Sequence, residues 1–451
     1  MANSTHSHAL LGVLVTVVVL GAIWWLKSVP VPNPLRQSAP REALSTWASP
    51  TVAVQTGGLE FGQYFTPREL QSIGFTPHGL EEVGYRIDLD LKALSSGGLN
   101  PDTIPSIDEP RFLPAAQANA WLSDESLVLG VRFENEARAY PISILNWHEI
   151  VNDTFGRAGV LVTYCPLCDS GVAFLAPLVK GRGVKFGTSG RLYHSDLVMY
   201  DRASATMWSQ IEGTAIVGPL AGKAPPLQRL PTDIVPYGLW KQDHPHTLVL
   251  DRPRAGQRLG NRIIQYGYLS DEMIQSILDS DPSALANANL EGAEDYVRNY
   301  GIDPYGLYRM VNPKKGAKTR FGVTIQDDRL PAKTPVIAIR IEDATKAYAR
   351  KAVLKQGIVE DEVARTPLLL VVAADGVVKL FERRLAQNVF TFSRTQDDLI
   401  DQHGHHWSFD GVAQSGPWAG RSLPPLAPLN VYWFAWHAFY PESQLYLGES
   451  P

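Results

Sequence analysis

The sequence predicts an α+β protein that is mostly β, built as two pseudo-repeated β-rich lobes after an N-terminal transmembrane helix. Three observations carry this expectation. Ala9 to Leu26 is an almost unbroken apolar run. The body is a succession of short apolar segments punctuated by Gly and Pro, and its Trp 11 and Tyr 17 against Met 5 suit a rigid, strand-rich fold. Finally, three blocks of sequence recur in the same order.

Bulk composition narrows the function classes. The chain has 451 residues, 45% hydrophobic and 19% charged, with a net charge of −5. That length accommodates two to three domains with ample core. No basic cluster offers a phosphate track, so a nucleic-acid partner is not expected. Two cysteines in so long a chain are no disulfide framework and point to a local task.

Taken in order, residues 1–27 read as a membrane anchor. Eighteen helical residues span about 27 Å, near the hydrocarbon thickness of a bilayer. Trp24 and Trp25 stand where an aromatic belt belongs, and the following Leu26-Lys27-Ser28 is a poor cleavage site. Lys27, Arg36 and Arg41 follow the segment and no Lys or Arg precedes it, which by charge alone favours a cytoplasmic body. Long domains translocate against weak bias, and an exported body on a single-pass anchor is the expectation adopted. Residues 28–50 carry Pro30, Pro32, Pro34, Pro40 and Pro50 and form a semi-rigid linker. Residues 51–103 are a variable region in which Thr66-Pro67-Arg68-Glu69 resembles a helix start.

Residues 104–265 form the first repeat lobe. Val128 to Phe133 and Ala137 to Tyr140 read as a hairpin, and Pro141 to Val151 has helical spacing, with Ile144, Trp147, Ile150 and Val151 on one face. Val160 to Tyr164 is a buried-strand candidate, and short strands are expected at 171–174, 184–188, 197–200, 207–211 and 215–217. Residues 266–327 read as a polar helical insertion, and 328–451 as the second, degenerate lobe. The segment from Val128 (VLGVRFENEARAYPISILNWHEIVND) matches that from Val336 (VIAIRIEDATKAYARKAVLKQGIVED) without a gap. Trp208 onward matches Trp407 onward, and Trp240 onward matches Trp436 onward.

The comparison locates the chemistry. Both cysteines, Cys165 and Cys168, lie in the first copy, in Cys165-Pro166-Leu167-Cys168 at the end of the apolar strand; the second copy has VVAADG there. Two thiols one turn apart suit a soft metal ion or a reversible disulfide. His148 precedes the cysteine strand and His194 lies in SGRLYHSDLVMYDR, so the expected metal ligands are Cys165, Cys168, His148 and His194. Sulfur ligands favour copper, with zinc or no metal as alternatives. Glu149 reads as a helix-face or capping residue, and Met199 as core. His403, His405 and His406 form a second cluster that reads as a solvated loop. The chain lacks GxGxxG, phosphate-loop, HExxH, GxSxG and CxxCH motifs.

The segments NWHEIVND, VTYCPLCDSGVAF, FGTSGRLYHSDLVMYDR and MWSQIEGTAIVGPLAG resemble the family called domain of unknown function 3179, from about Ile104 to the C-terminus. The resemblance implies that the repeat is a family feature and that members are often exported or membrane-attached; it implies no reaction. The usual family segment is similar to CPLCGSA, whereas this chain has Asp169 after the second cysteine, a carboxylate able to raise the thiol pKa or to donate an oxygen. The leading expectation is a membrane-anchored copper protein in redox chemistry, electron transfer or metal delivery, with a redox or metal-delivery protein as partner. The alternatives are a metal-free thiol–disulfide oxidoreductase and a scaffold pinned by zinc or a disulfide. Whether it is an enzyme stays open.

Overall fold

The computed structural model describes residues 64–65, 83–84 and 89–448, except 91–92, 98, 100, 180–181, 219, 255–257, 261, 264–295, 320–322 and 374–375. The expected anchor, the linker and most of the helical insertion lie outside the described residues. Among the described residues, no helix is long and apolar enough to cross a membrane.

The described chain is mostly β. Alternating apolar residues form the hairpin of β1 (Leu127–Phe133) and β2 (Glu136–Pro141), with Val131 opposite Arg138. Pro141 then caps α1 (Ile142–His148), which packs Ile144 and Leu145 inward. The helical spacing extends to Val151 in sequence, but α1 ends at His148. Glu149 takes a left-handed conformation (φ 57°), and Ile150 and Val151 open β3 (Ile150–Phe155) instead. A meander follows through β4 (Ala158–Cys165) and β5 (Ser170–Leu175). The apolar run of β4 is buried on both faces: Leu161 and Cys165 enter one core, Val160, Val162 and Tyr164 another.

A second sheet comes next, of β6 (Phe186–Tyr193), β7 (Asp196–Asp201), β8 (Met207–Ser209) and β9 (Thr214–Val217). Strand β10 (Arg229–Leu230) returns to β5, β11 (Thr232–Pro236) pairs with β1, α2 (Tyr237–Asp243) follows, and β12 (Leu248–Leu250) runs parallel to β2.

After the short α3 (Gly306–Met310) the same order of elements returns. Hairpin β13 (Pro335–Ile341) and β14 (Ala344–Ala349) leads into α4 (Arg350–Gln356), then β15 (Ile358–Val363), β16 (Thr366–Val372) and β17 (Val378–Glu382). Strand β18 (Pro425–Leu426) pairs with β17, β19 (Leu429–Tyr432) with β13, and, after α5 (Trp433–Phe439), β20 (Gln444–Tyr446) lies parallel to β14. Matching side chains make matching bonds. Tyr140 donates to Asp153 as Tyr348 does to Asp361, and Trp208 to Asp201 as Trp407 does to Asp401.

The two segments do not keep separate sheets. The hairpin β13–β14 joins the meander β3–β4–β5 through β19, with Asn430 opposite Gly171, in one central sheet. The core around the cysteines accordingly draws Trp208 and Phe186 from the first segment and Trp433 and Trp436 from the second.

Close packing shows at Gly130 in β1, where an added Cβ would meet the Trp240 ring at 2.3 Å. Gly130→Ala is expected to destabilise the fold by about 1–3 kcal/mol through overpacking. Urea unfolding measures this, and an unchanged midpoint would mean that the Trp240 ring is free to move aside.

Candidate metal site

Two tight β-turns meet to form the site. In the first, Cys165 pairs with Ser170 across the β4–β5 turn, and the Cys168 amide donates to the Cys165 carbonyl at 3.2 Å. Pro166 cannot extend the ladder, and Asp169 closes the turn with φ 51°. The second turn joins β6 to β7. His194 and Ser195 both have positive φ (52° and 68°), as a two-residue hairpin turn between the paired Tyr193 and Asp196 requires. This turn aims the Ser195 carbonyl at the cysteines, 3.8 Å from Cys165 Sγ and 3.4 Å from Cys168 Sγ.

Asp196 is the first residue after the turn and is fully buried. Its carboxylate accepts from Ser170 Oγ at 3.2 Å and from the Ile211 amide at 3.0 Å. One ligand atom from each of Cys165, Cys168 and Asp196 lies within 4.8 Å of the others, a grouping that could hold a metal ion. Both cysteines are free thiols and both are buried.

Charge is unwelcome in this core. Burial pushes the Cys165 thiol up, with Asp196 and Glu149 adding to the rise and Cys168 opposing it. Burial likewise carries Cys168 well above the usual thiol range, and Cys165 and Asp196 reinforce it. The Asp196 carboxyl is raised by burial to about 7, against the pull of its bonds from Ile211 and Ser170. Glu149 is raised by burial to about 8; the Tyr305 hydroxyl opposes the shift and Asp196 adds to it.

Aromatic residues cover the site. Tyr308 Oη donates to the Leu167 carbonyl at 2.9 Å, and the Tyr432 amide to the Cys168 carbonyl at 2.8 Å. Arg309 donates to Tyr164 Oη at 3.2 Å, and Tyr164 donates to Asp169 at 2.7 Å. The Asp169 carboxylate is thus bound to Tyr164 and stands apart from the grouped ligands.

The two histidines expected as ligands are placed differently. His148 Nδ1 donates to the Pro105 carbonyl at 2.8 Å, which leaves Nε2 to accept from Tyr300 Oη at 2.7 Å. Both nitrogens are engaged, and burial lowers the ring to a pKa of about 3. The His194 ring packs against Tyr193 and Phe439, with centroids 4.4 and 5.0 Å away. It lines a cavity of about 440 Å³ with Asp327, Trp433 and His437, and is not among the grouped ligands. Met199 is core. His405 pairs with Asp401 and His406 with Asp398, within the small sheet that carries them. Sequence reasoning passed over Asp196 as a ligand; its signal was an acid opening the otherwise apolar strand Leu197-Val198-Met199-Tyr200, directly after a turn.

No curated protein and no solved structure matches the chain. A family model, described as protein of unknown function (DUF3179), matches residues 101–443 of the 451. Every residue of the grouping, and every element that frames it, falls within that span; the chain belongs to the DUF3179 family.

Proposed function

We propose that the protein is a membrane-anchored metalloprotein that holds one thiophilic transition metal ion, copper in the first instance, and serves redox chemistry, electron transfer or metal delivery. The observation that carries this reading is the convergence of two thiols and one carboxylate from two separate turns in a buried core. Sulfur-rich donor sets select copper and zinc over hard cations. A bound copper ion would supply one-electron chemistry. The protein's part is to orient the donors. Ser170 and the Ile211 amide fix Asp196, and the hairpin ladder fixes Cys165. Thiol–disulfide exchange fits this geometry less well, because it needs an accessible thiolate and these thiols are buried with raised pKa.

The test is elemental analysis of the full chain, purified anaerobically in detergent, beside Cys165→Ser/Cys168→Ser. About one copper ion per chain is expected, lost in the variant, with thiolate-to-copper charge-transfer absorption. Zinc in its place would keep the site and remove the redox role. No metal after reconstitution with either ion would overturn the proposal.

A further inference from the structure

Two turns face each other at the site, and each offers two donors. The turn after β4 brings Cys165 and Cys168. The turn between β6 and β7 brings Asp196 and, one residue earlier, a main-chain oxygen. The Ser195 carbonyl lies 3.8 Å from Cys165 Sγ and 3.4 Å from Cys168 Sγ. These separations decide what fits between them. An ion that binds sulfur at about 2.3 Å and oxygen at about 2.1 Å in a tetrahedron sets each sulfur about 3.6 Å from the oxygen. The two observed values fall on either side of that figure.

Ser195 is only 1% exposed. Among the described residues, the two thiols are the donors to its carbonyl. With the thiols protonated, the oxygen is satisfied. Metal binding removes those protons. The carbonyl would then be a buried acceptor facing two thiolates with no donor, a costly arrangement. An ion held between the sulfurs supplies the positive partner it has lost. The turn is also fastened where it stands. Ser195 Oγ meets Thr319 Oγ1 at 3.1 Å, and Thr319 Oγ1 accepts from the Val323 amide at 3.2 Å.

The second copy shows the same hairpin without the thiols. Phe186 pairs with Asp201 in the first copy and Phe392 with Asp401 in the second, and each aspartate accepts from the matching tryptophan. From that pair the first ladder continues to Tyr193 opposite Asp196, whereas the second stops at Arg394 opposite Leu399. Where Cys165 and Cys168 give way to Ala373 and Gly376, the arm that carries the carbonyl and the carboxylate is cut short as well.

We infer that the main-chain carbonyl of Ser195 is the fourth donor to the metal, completing a closed set of two sulfurs and two oxygens with Cys165, Cys168 and Asp196. A closed set leaves no position on the ion for substrate, so the site suits electron transfer or metal delivery rather than oxidation of a bound molecule. The inference rests on the metal reading above.

The experiment uses the full chain in detergent, loaded with Co²⁺ and grown with serine that carries ¹³C at its carbonyl carbon. Pulsed electron–nuclear double resonance is expected to show a ¹³C hyperfine coupling in the wild-type chain. Ser195→Ala keeps the peptide carbonyl but takes the label out of this position, so the coupling is expected to vanish while Co²⁺ stays bound. In water enriched in ¹⁷O, the wild-type chain is expected to show no oxygen coupling, because the protein fills all four positions; this arm needs no variant. A ¹³C coupling absent from the wild type, or retained in Ser195→Ala, would overturn the role of the carbonyl and leave the three-ligand site standing, as would a ¹⁷O coupling. Failure of the wild-type chain to bind Co²⁺ or Zn²⁺ would overturn the inference and the metal reading together.

Discussion

In the presence of a chelator, the protein is expected to lose about 2–3 kcal/mol of stability between pH 6.5 and pH 8, the opposite of ordinary acid lability. The sign follows from which state holds more protons. Asp196 and Glu149 have folded pKa values raised to about 7 and about 8 from ordinary values of 3.8 and 4.5. Between the ordinary and the raised value the native state keeps a proton that the unfolded chain has released, so stability falls as pH rises through that window. His148 works the other way. Its folded pKa of about 3 lies below the usual 6.5, so its share of stability is lost as pH falls through that interval. Below pH 6.5 the histidine offsets one carboxyl; above it the histidine falls away, Asp196 acts up to about pH 7 and Glu149 up to about pH 8.

Thermal unfolding at graded pH in chelator measures this, and Asp196→Asn is expected to flatten the decline. A metal-free protein whose stability rises from pH 6.5 to pH 8 would show that these carboxyls are solvated. A metal ion held by Cys165, Cys168 and Asp196 would oppose this slope, because each ligand sheds its proton to bind. Affinity is expected to climb by up to about tenfold per ligand proton for each pH unit below that ligand's pKa.

Legibility in the sequence followed the range of the contacts. Hairpin β1–β2 and strand β4 are local, and alternation and apolar runs betray them. The internal match at 208-residue spacing, Tyr140 with Tyr348, reappears as matching hydrogen bonds to Asp153 and Asp361. Less legible was the way the two segments share a sheet. The contact of Asn430 with Gly171 joins strands far apart in the chain, and no local pattern records it. The site divides along the same line. Cys165 and Cys168 announce themselves by spacing. Asp196 comes to them through the docking of one turn on another, which sequence distance conceals. His148 was the converse case. It is near the cysteines in the chain, but α1 directs its ring to Pro105 and Tyr300. Glu149, read as a helix-face or capping residue, is the C-cap of α1.

Arg138→Met is expected to destabilise the protein by about 3–5 kcal/mol, and Lys346→Met, the same position in the second segment, by only about 1 kcal/mol. Arg138 on β2 reaches both oxygens of Asp153 on β3 at 2.7 Å, and Tyr140 Oη donates to the same carboxylate at 2.5 Å. Its guanidinium also lies 4.1 Å from the centre of the Phe155 ring and 4.7 Å from that of Phe112. With the arginine side chain 10% exposed and the aspartate 4%, removal of the cation strands a buried carboxylate with a single donor from a side chain. Lys346 meets Asp361 at 2.5 Å, but their side chains are 15% and 18% exposed, so water can take over part of the lost interaction. Urea unfolding of both variants settles the comparison. Equal losses would mean that burial does not distinguish the two pairs, and that the shared hydrogen bond from tyrosine, Tyr140 or Tyr348, carries the carboxylate in each. A larger loss at Arg138 would mean that the more deeply buried pair, in the copy that carries the cysteines, contributes more to the fold.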